Sequence, residues 1–261
     1  FGQGIGSERG GTVAAIGSGG LRIIAVVVAL LIGARVVGSW EAIALFRNAV
    51  PFDPSGAVVA DPIFGRDISF YLFDLPVQRI AQEVFTILLG AALVLAALRY
   101  LPALGARGFG GIGAGPRLHI ALLGAGLLLI TAVGYQLDKL ELVYSTSGVA
   151  TGVSYTDFSA RIPGLDVLTV IAAIAAALLV GASLTRSTWP LILTVVVWIG
   201  ASFALTGIYP EFVQRFQVQP NEYALEQGYI ANNIKMTRLA YGLDSWVERQ
   251  YNGEETLTAA A

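Results

Sequence analysis

The sequence predicts an all-α fold: a polytopic transmembrane helix bundle of about five spans, with structured extracytoplasmic loops and a polar C-terminal helix. Three observations lead there. Hydrophobic residues make up 55% of the chain and charged residues 13%, about half the roughly 25% charge of a soluble domain. The apolar residues gather into runs near the ~20 residues a helix needs to cross a bilayer. Between the runs lie segments too charged to cross and too aromatic for ordinary loops, foremost Asp61-Pro62-Ile63-Phe64-Gly65-Arg66-Asp67-Ile68-Ser69-Phe70-Tyr71-Leu72-Phe73-Asp74-Leu75-Pro76.

The same composition excludes whole classes of function. A net charge of −2 without a basic tract argues against nucleic acid. The absence of cysteine removes disulfides, thiolate nucleophiles, iron–sulfur ligation and c-type haem attachment. A single histidine, His119, rules out a bis-histidine haem within the chain. No cofactor and no metal are expected. The chain starts at Phe1 with no cleavable signal peptide in view, so it is expected to be a portion of a longer protein.

Residues 1–20, rich in Gly, Ser and Thr, are expected to form a leader or linker. The first span is placed at 22–46, with Arg35 near its middle and Glu41 nearer one end. A charge at that depth costs on the order of 3 kcal/mol. Arg35, Glu41 and Glu83 of the next span therefore read either as the intramembrane charges of a transport path or as a structural ion pair.

Residues 47–76 follow, where Pro51, Pro54, Pro62 and Pro76 break helix. Phe64, Phe70, Tyr71 and Phe73 suit a half-wet headgroup layer. Asp53, Asp61, Asp67 and Asp74 are either oxygen ligands, though at no EF-hand spacing, or turn caps that pair with Arg66.

The second span is expected at 77–99. The glycine-rich run 108–115 reads as a flexible connection, since no Gly-Lys-Ser/Thr follows it. The third span is expected at 118–137, with His119 hydrogen-bonding at its edge rather than ligating a pigment or metal. A second polar, aromatic segment covers 138–164. The fourth span, 165–184, is built from alanines, and Ala173, Ala177 and Gly181 stand four apart, a spacing that lets helices pack closely. A short turn, in which Ser187 or Thr188 caps the next helix, leads to the fifth span at 189–209. Trp189 anchors that span and Pro190 sits in its first turn.

Residues 210–243 predict a junction helix from Pro220-Asn221-Glu222, with acids early, Lys235 and Arg238 late, and Gly242 as a stop. Leu225, Ile230, Ile234 and Leu239 form its apolar stripe. Residues 244–261 read as a tail or the start of a further domain.

Arg99, Arg107, Arg117 and Arg186 lie in connections without acids, and Arg9 and Arg22 at the start fall on the same side. The positive-inside rule puts these in the cytoplasm. The expectation is a cytoplasmic N-terminus, an extracytoplasmic C-terminus, and segments 51–76, 138–164 and 210–243 together on the outer face.

Those segments carry a family likeness. Asp61-Pro62-Ile63-Phe64-Gly65-Arg66-Asp67-Ile68-Ser69-Phe70-Tyr71, Tyr155-Thr156-Asp157 with Arg161 and Pro163, and Pro220-Asn221-Glu222 with Asn232-Asn233 and Arg238 resemble three ordered blocks of the large bacterial membrane proteins called uncharacterised protein family 0182. The resemblance covers residues 40–244. It implies a bacterial inner-membrane location and a multi-span bundle followed by a large extracytoplasmic domain, and it brings no catalytic residues.

Asp61, Phe64, Asp67, Tyr71, Tyr155, Asp157, Arg161, Asn221, Glu222, Asn232 and Arg238 are the candidate outer-face interaction residues. The function expected is not enzymatic: an accessory subunit, within a respiratory or photosynthetic complex, whose partners are the lipid bilayer, other membrane protein subunits and a large extracytoplasmic domain. A transporter using Arg35, Glu41 and Glu83 is the alternative. A membrane enzyme with Asp61, Asp67, Asp157 and Glu222 as a carboxylate site is the second.

Overall fold

The computed structural model describes residues 5–53, 55, 58–185, 189–247 and 249; for 5–18, 101–110 and 244 it describes the backbone alone. The expected caps Ser187 and Thr188, the side chains of Arg9, Arg107 and Arg186, and most of the tail lie outside the described residues. Among these residues the fold is all-α, apart from one isolated antiparallel bridge between Ala60 and Asp67. The helices are α1 (Ile5–Val37), α2 (Trp40–Arg47), α3 (Leu75–Gly111), α4 (Ala114–Glu141), α5 (Ile162–Ser183), α6 (Trp189–Phe203), α7 (Tyr209–Val213) and α8 (Glu222–Ala240).

Five helical stretches are long and apolar enough to cross a bilayer: Gly19–Val37, Phe70–Tyr100, Ala114–Tyr144, Asp157–Ser183 and the 52-residue path Trp189–Ala240. The last would be about 78 Å long at 1.5 Å per residue, far beyond the ~30 Å of hydrocarbon. Its apolar residues are concentrated in 189–209, whereas α8 carries Glu222, Glu226, Lys235 and Arg238. The crossing part is therefore α6 with the turn after it. Ile23 and Leu30 on α1 and Phe203 on α6 are more than two-thirds exposed, as lipid-facing side chains are.

Ion pairs at the helix ends fix the order of packing. Arg79 near the start of α3 reaches Asp138 and Glu141 at the end of α4, at 2.6 and 2.7 Å. Lys139 on α4 reaches Asp166 at the start of α5, at 2.6 Å. At the opposite end the Arg117 guanidinium donates to the Thr185 carbonyl at 3.0 Å. Neighbours α3, α4 and α5 are thus antiparallel. The core runs along α4 and α5, where Ala125, Leu128, Ala175, Ala176 and Leu179 form one layer and Ala132, Tyr135, Leu165, Leu168 and Ala172 the next.

Several expectations are corrected. The backbone is already helical from Ile5, so part of the expected leader continues into α1. The expected glycine-rich connection is helical through Gly111, which leaves Ile112 and Gly113 as the link to α4. Arg35 is in the last turn of α1, not mid-span, because the chain breaks at Gly38 and Ser39. There the Ser39 hydroxyl donates to the Arg35 carbonyl at 2.9 Å. Glu41 then falls in the first turn of α2.

On α5 the expected small-residue stripe faces outward: Ala173, Ala177 and Gly181 are exposed, while Ala172, Ala175, Ala176, Leu179 and Ala182 are buried. Alanines occupy both faces of this helix, so a spacing of four could not choose between them. Leu165, Leu168 and Leu179 choose it.

Proline shapes the rest. Pro76, which was expected to break helix, is accommodated inside one. Each π-helical turn in the described residues ends two positions before a proline: Phe70–Asp74 before Pro76, Asp157–Arg161 before Pro163, Ala204–Ile208 before Pro210 and Gln214–Val218 before Pro220. A proline ring collides with the carbonyl four residues back and offers it no N–H. Widening the preceding turn moves that carbonyl aside and keeps the helix continuous. All four wide turns lie at the end of the bundle where the polar segments meet.

Candidate functional site

Three polar segments close over that end. The first is a tight loop organised by Asp61, which is only 5% exposed. Its Oδ1 accepts from the N–H groups of Ile63 and Phe64 at 2.9 and 2.7 Å. Its Oδ2 accepts from the Arg66 N–H at 2.9 Å and the Tyr71 hydroxyl at 2.8 Å. Gly65 supplies the positive φ of +66° that the reversal requires. Asp67 closes the loop stem by accepting from Val59 N–H at 3.0 Å and Ser69 N–H at 2.8 Å, and its bonds with Ser69 hold its carboxyl below the usual aspartate range. The Arg66 guanidinium lies 4.4 Å from the Phe70 ring centroid instead of pairing with an aspartate side chain.

The second segment is anchored by Asp157, which is fully buried. Ser154 and Asp157 form a reciprocal capping box: each side chain accepts from the other's N–H, at 3.1 and 3.2 Å. Arg161 completes it by donating to Asp157 at 2.7 Å and to the Ser147 hydroxyl at 3.0 Å.

The third segment is α8, which lies across the other two. Glu226 accepts from the Tyr155 N–H at 3.2 Å. The Asn233 amide donates to the Thr151 carbonyl at 2.6 Å, and the Tyr229 ring meets Tyr155 edge-on with centroids 6.5 Å apart. Burial pushes the Glu226 carboxyl above the usual glutamate range, and the nearby charges of Asp157 and Glu222 add to this against the opposing Tyr155 N–H.

Together the segments enclose a cavity of about 300 Å³. Ile63, Leu72, Val143, Val153, Ile230 and Met236 give it mostly apolar walls. Asp61, Tyr71, Glu226, Tyr229, Asn232 and Asn233 supply its polar side. Among the described residues no lysine or arginine lines it.

Of the eleven candidate residues, Asp61, Tyr71 and Asn232 reach the cavity. Phe64 packs against the buried cluster of Tyr71, Leu75, Leu137 and Leu140 beside it. Tyr155, Asp157, Arg161 and Asp67 hold the surrounding loops. Arg238 donates to the carbonyls of Leu243 and Trp246 beyond α8. Asn221 and Glu222 are exposed and join nothing at the cavity. The proposed carboxylate site is thus not assembled: of Asp61, Asp67, Asp157 and Glu222, the cavity is lined by Asp61 alone. Among the described residues no three His, Cys, Asp or Glu side chains gather as a ligand set.

Arg35 pairs with Glu83 at 2.7 Å across α1 and α3, while Glu41 stays exposed. His119 stands against the Tyr100 hydroxyl at 3.3 Å at the far end. Sequence reasoning missed Glu226 as a cavity residue. The signal was present: Glu226, Tyr229, Ile230 and Asn233 share one helical face.

The family model described as Uncharacterised protein family (UPF0182) matches residues 13–261. A UPF0182 protein of Moorella thermoacetica is 35% identical over 238 residues, covering 89% of this chain and 25% of that protein. One from Paenarthrobacter aurescens is 37% identical over 243 residues, covering 89% of this chain and 23% of that protein. One from Frankia alni is 37% identical over 248 residues, covering 91% and 23%. The chain therefore spans about a quarter of the length of these relatives. No solved structure matches. With its three sequence blocks interlocked at one end of an apolar bundle, the chain belongs to uncharacterised protein family UPF0182.

Proposed function

We propose that this chain is a membrane-embedded structural platform: an accessory module of the bacterial inner membrane that presents its capped end on the outer face, to partner subunits or to an extracytoplasmic domain. One observation carries the reading. Segments 51–76, 138–164 and 210–243 interlock into a single cap: the Tyr144 hydroxyl donates to the Tyr71 carbonyl, Glu226 accepts from the Tyr155 N–H, and the Asn233 amide donates to the Thr151 carbonyl. Asp61 and Asp157 in that cap act on the protein itself. Asp61 is filled by four donors, and Asp157 by Arg161, Ser147 and the Ser154 N–H. Such groups build a rigid surface and are poorly placed as a nucleophile and base. Arginines in the opposite connections favour the cytoplasm for that end.

Crosslinking mass spectrometry on native membranes tests this. Crosslinks from the cap segments to another polypeptide, or to an extracytoplasmic domain, are expected. Crosslinks confined to the three segments themselves would overturn the reading.

A further inference from the structure

We infer that the capped cavity binds a small organic cation, an ammonium group on a compact apolar body, with the ammonium seated on Glu226. This goes beyond the platform reading and does not depend on it.

Of the two carboxylates at the cavity, Asp61 is committed to the protein and Glu226 is not. Both oxygens of Asp61 are filled by backbone N–H groups and the Tyr71 hydroxyl. The Asn233 amide is held by the Thr151 carbonyl. Glu226 is 3% exposed, and its two oxygens share a single N–H, that of Tyr155, at 3.2 and 3.3 Å. An ionised carboxylate has about four acceptor positions, so most of its capacity is unfilled. A buried charge in that condition is costly unless something supplies the missing donors.

Charge and shape narrow the ligand. Two carboxylates line the cavity and, among the described residues, no lysine or arginine does. Asp157 and Glu222 add negative potential at Glu226. An anion is repelled, and a neutral alcohol offers one donor without compensating the charge. An ammonium offers three donors and the charge. The Tyr229 ring, one helical turn from Glu226, adds an aromatic face of the kind that attracts cations. The remaining walls are apolar, and 300 Å³ is the volume of about ten liquid waters, which suits a body of ring size.

The test uses three probes of one shape and different charge: 2-phenylethylammonium, 2-phenylethanol and 3-phenylpropanoate. Each is titrated calorimetrically into the chain in nanodiscs, with empty nanodiscs as the blank. The ammonium should bind about tenfold more tightly than the alcohol, and the carboxylate should not bind above the blank. Glu226→Gln, which keeps an acceptor for Tyr155, should bring the ammonium down to the alcohol's affinity and leave the alcohol unchanged. Equal binding of all three probes, tightest binding of the carboxylate, or no ammonium binding above the blank overturns the inference. So does an ammonium preference that survives Glu226→Gln. If that variant does not fold, the wild-type charge series decides alone.

Discussion

Tyr71 donates its hydroxyl to Asp61 at 2.8 Å, and the two residues are 4% and 5% exposed. A helix side chain thereby pins a loop carboxylate that three backbone N–H groups already organise. The Tyr71 carbonyl in turn accepts from the Tyr144 hydroxyl at 3.0 Å, so the same residue ties the first polar segment to the second.

Tyr71→Phe removes one hydrogen bond to a charged acceptor while leaving the ring and the carbonyl in place. It should cost about 1.5–3 kcal/mol. Asp61→Asn should cost more, because the amide nitrogen replaces an oxygen that accepts from two donors. Denaturant unfolding in detergent reads both. A Tyr71→Phe midpoint equal to that of the wild type would show that the bond contributes nothing.

The two faces of α5 give an opposed pair. Ala176 is 3% exposed against α4 and α6, so Ala176→Leu overpacks that seam and should cost about 1–3 kcal/mol. Ala177 faces outward, and Ala177→Leu should change stability by less than about 0.5 kcal/mol. Equal losses in the isolated chain would mean that the seam has been assigned to the wrong face.

The five apolar stretches were legible because length and hydropathy do not depend on tertiary contacts. The gathering of the three polar segments was legible too, since alternating spans return every second connection to the same side. The packing face of α5 was not, because alanine on both sides removes the amphipathic signal. Nor was the continuity of helix through Pro76, Pro163 and Pro210. Proline says that an N–H is missing, and it does not say whether the helix stops or widens. Asp61 and Asp157 stood out as acids in aromatic surroundings, but several of their donors, the N–H groups of Ile63, Phe64, Arg66 and Ser154, belong to the backbone, which no side-chain pattern reports.

Arg79 is a fork between two acids on α4, with Nε on Glu141 at 2.7 Å and Nη2 on Asp138 at 2.6 Å. A lysine reaches one of these, not both. Arg79→Lys should loosen the junction of α3 and α4 by about 1–2 kcal/mol and Arg79→Ala by more. A double-mutant cycle of Arg79→Ala with Glu141→Gln measures the coupling directly. Strict additivity would show that the pair acts independently.

Glu226 gives a pH dependence whose sign follows from its burial. Its carboxyl is raised above the ordinary 4.5, first by desolvation and then by the charges of Asp157 and Glu222, against the lowering effect of the Tyr155 N–H. The folded chain therefore holds this proton more tightly than the unfolded chain. Stability from this group is fully present below about pH 4.5 and is lost as pH rises through the folded value. Glu226→Gln keeps an oxygen for Tyr155 and removes the buried charge. The variant should equal the wild type at the acid end and exceed it at neutral pH, with the slope between them flattened. Hydrogen exchange at the Tyr155 amide, followed from pH 4.5 to 8, reads the local opening of α8 from the second segment after correction for intrinsic exchange. If Glu226→Gln exchanges faster than the wild type at neutral pH, the ionised carboxylate is stabilising in place, and the desolvation account of this residue is wrong.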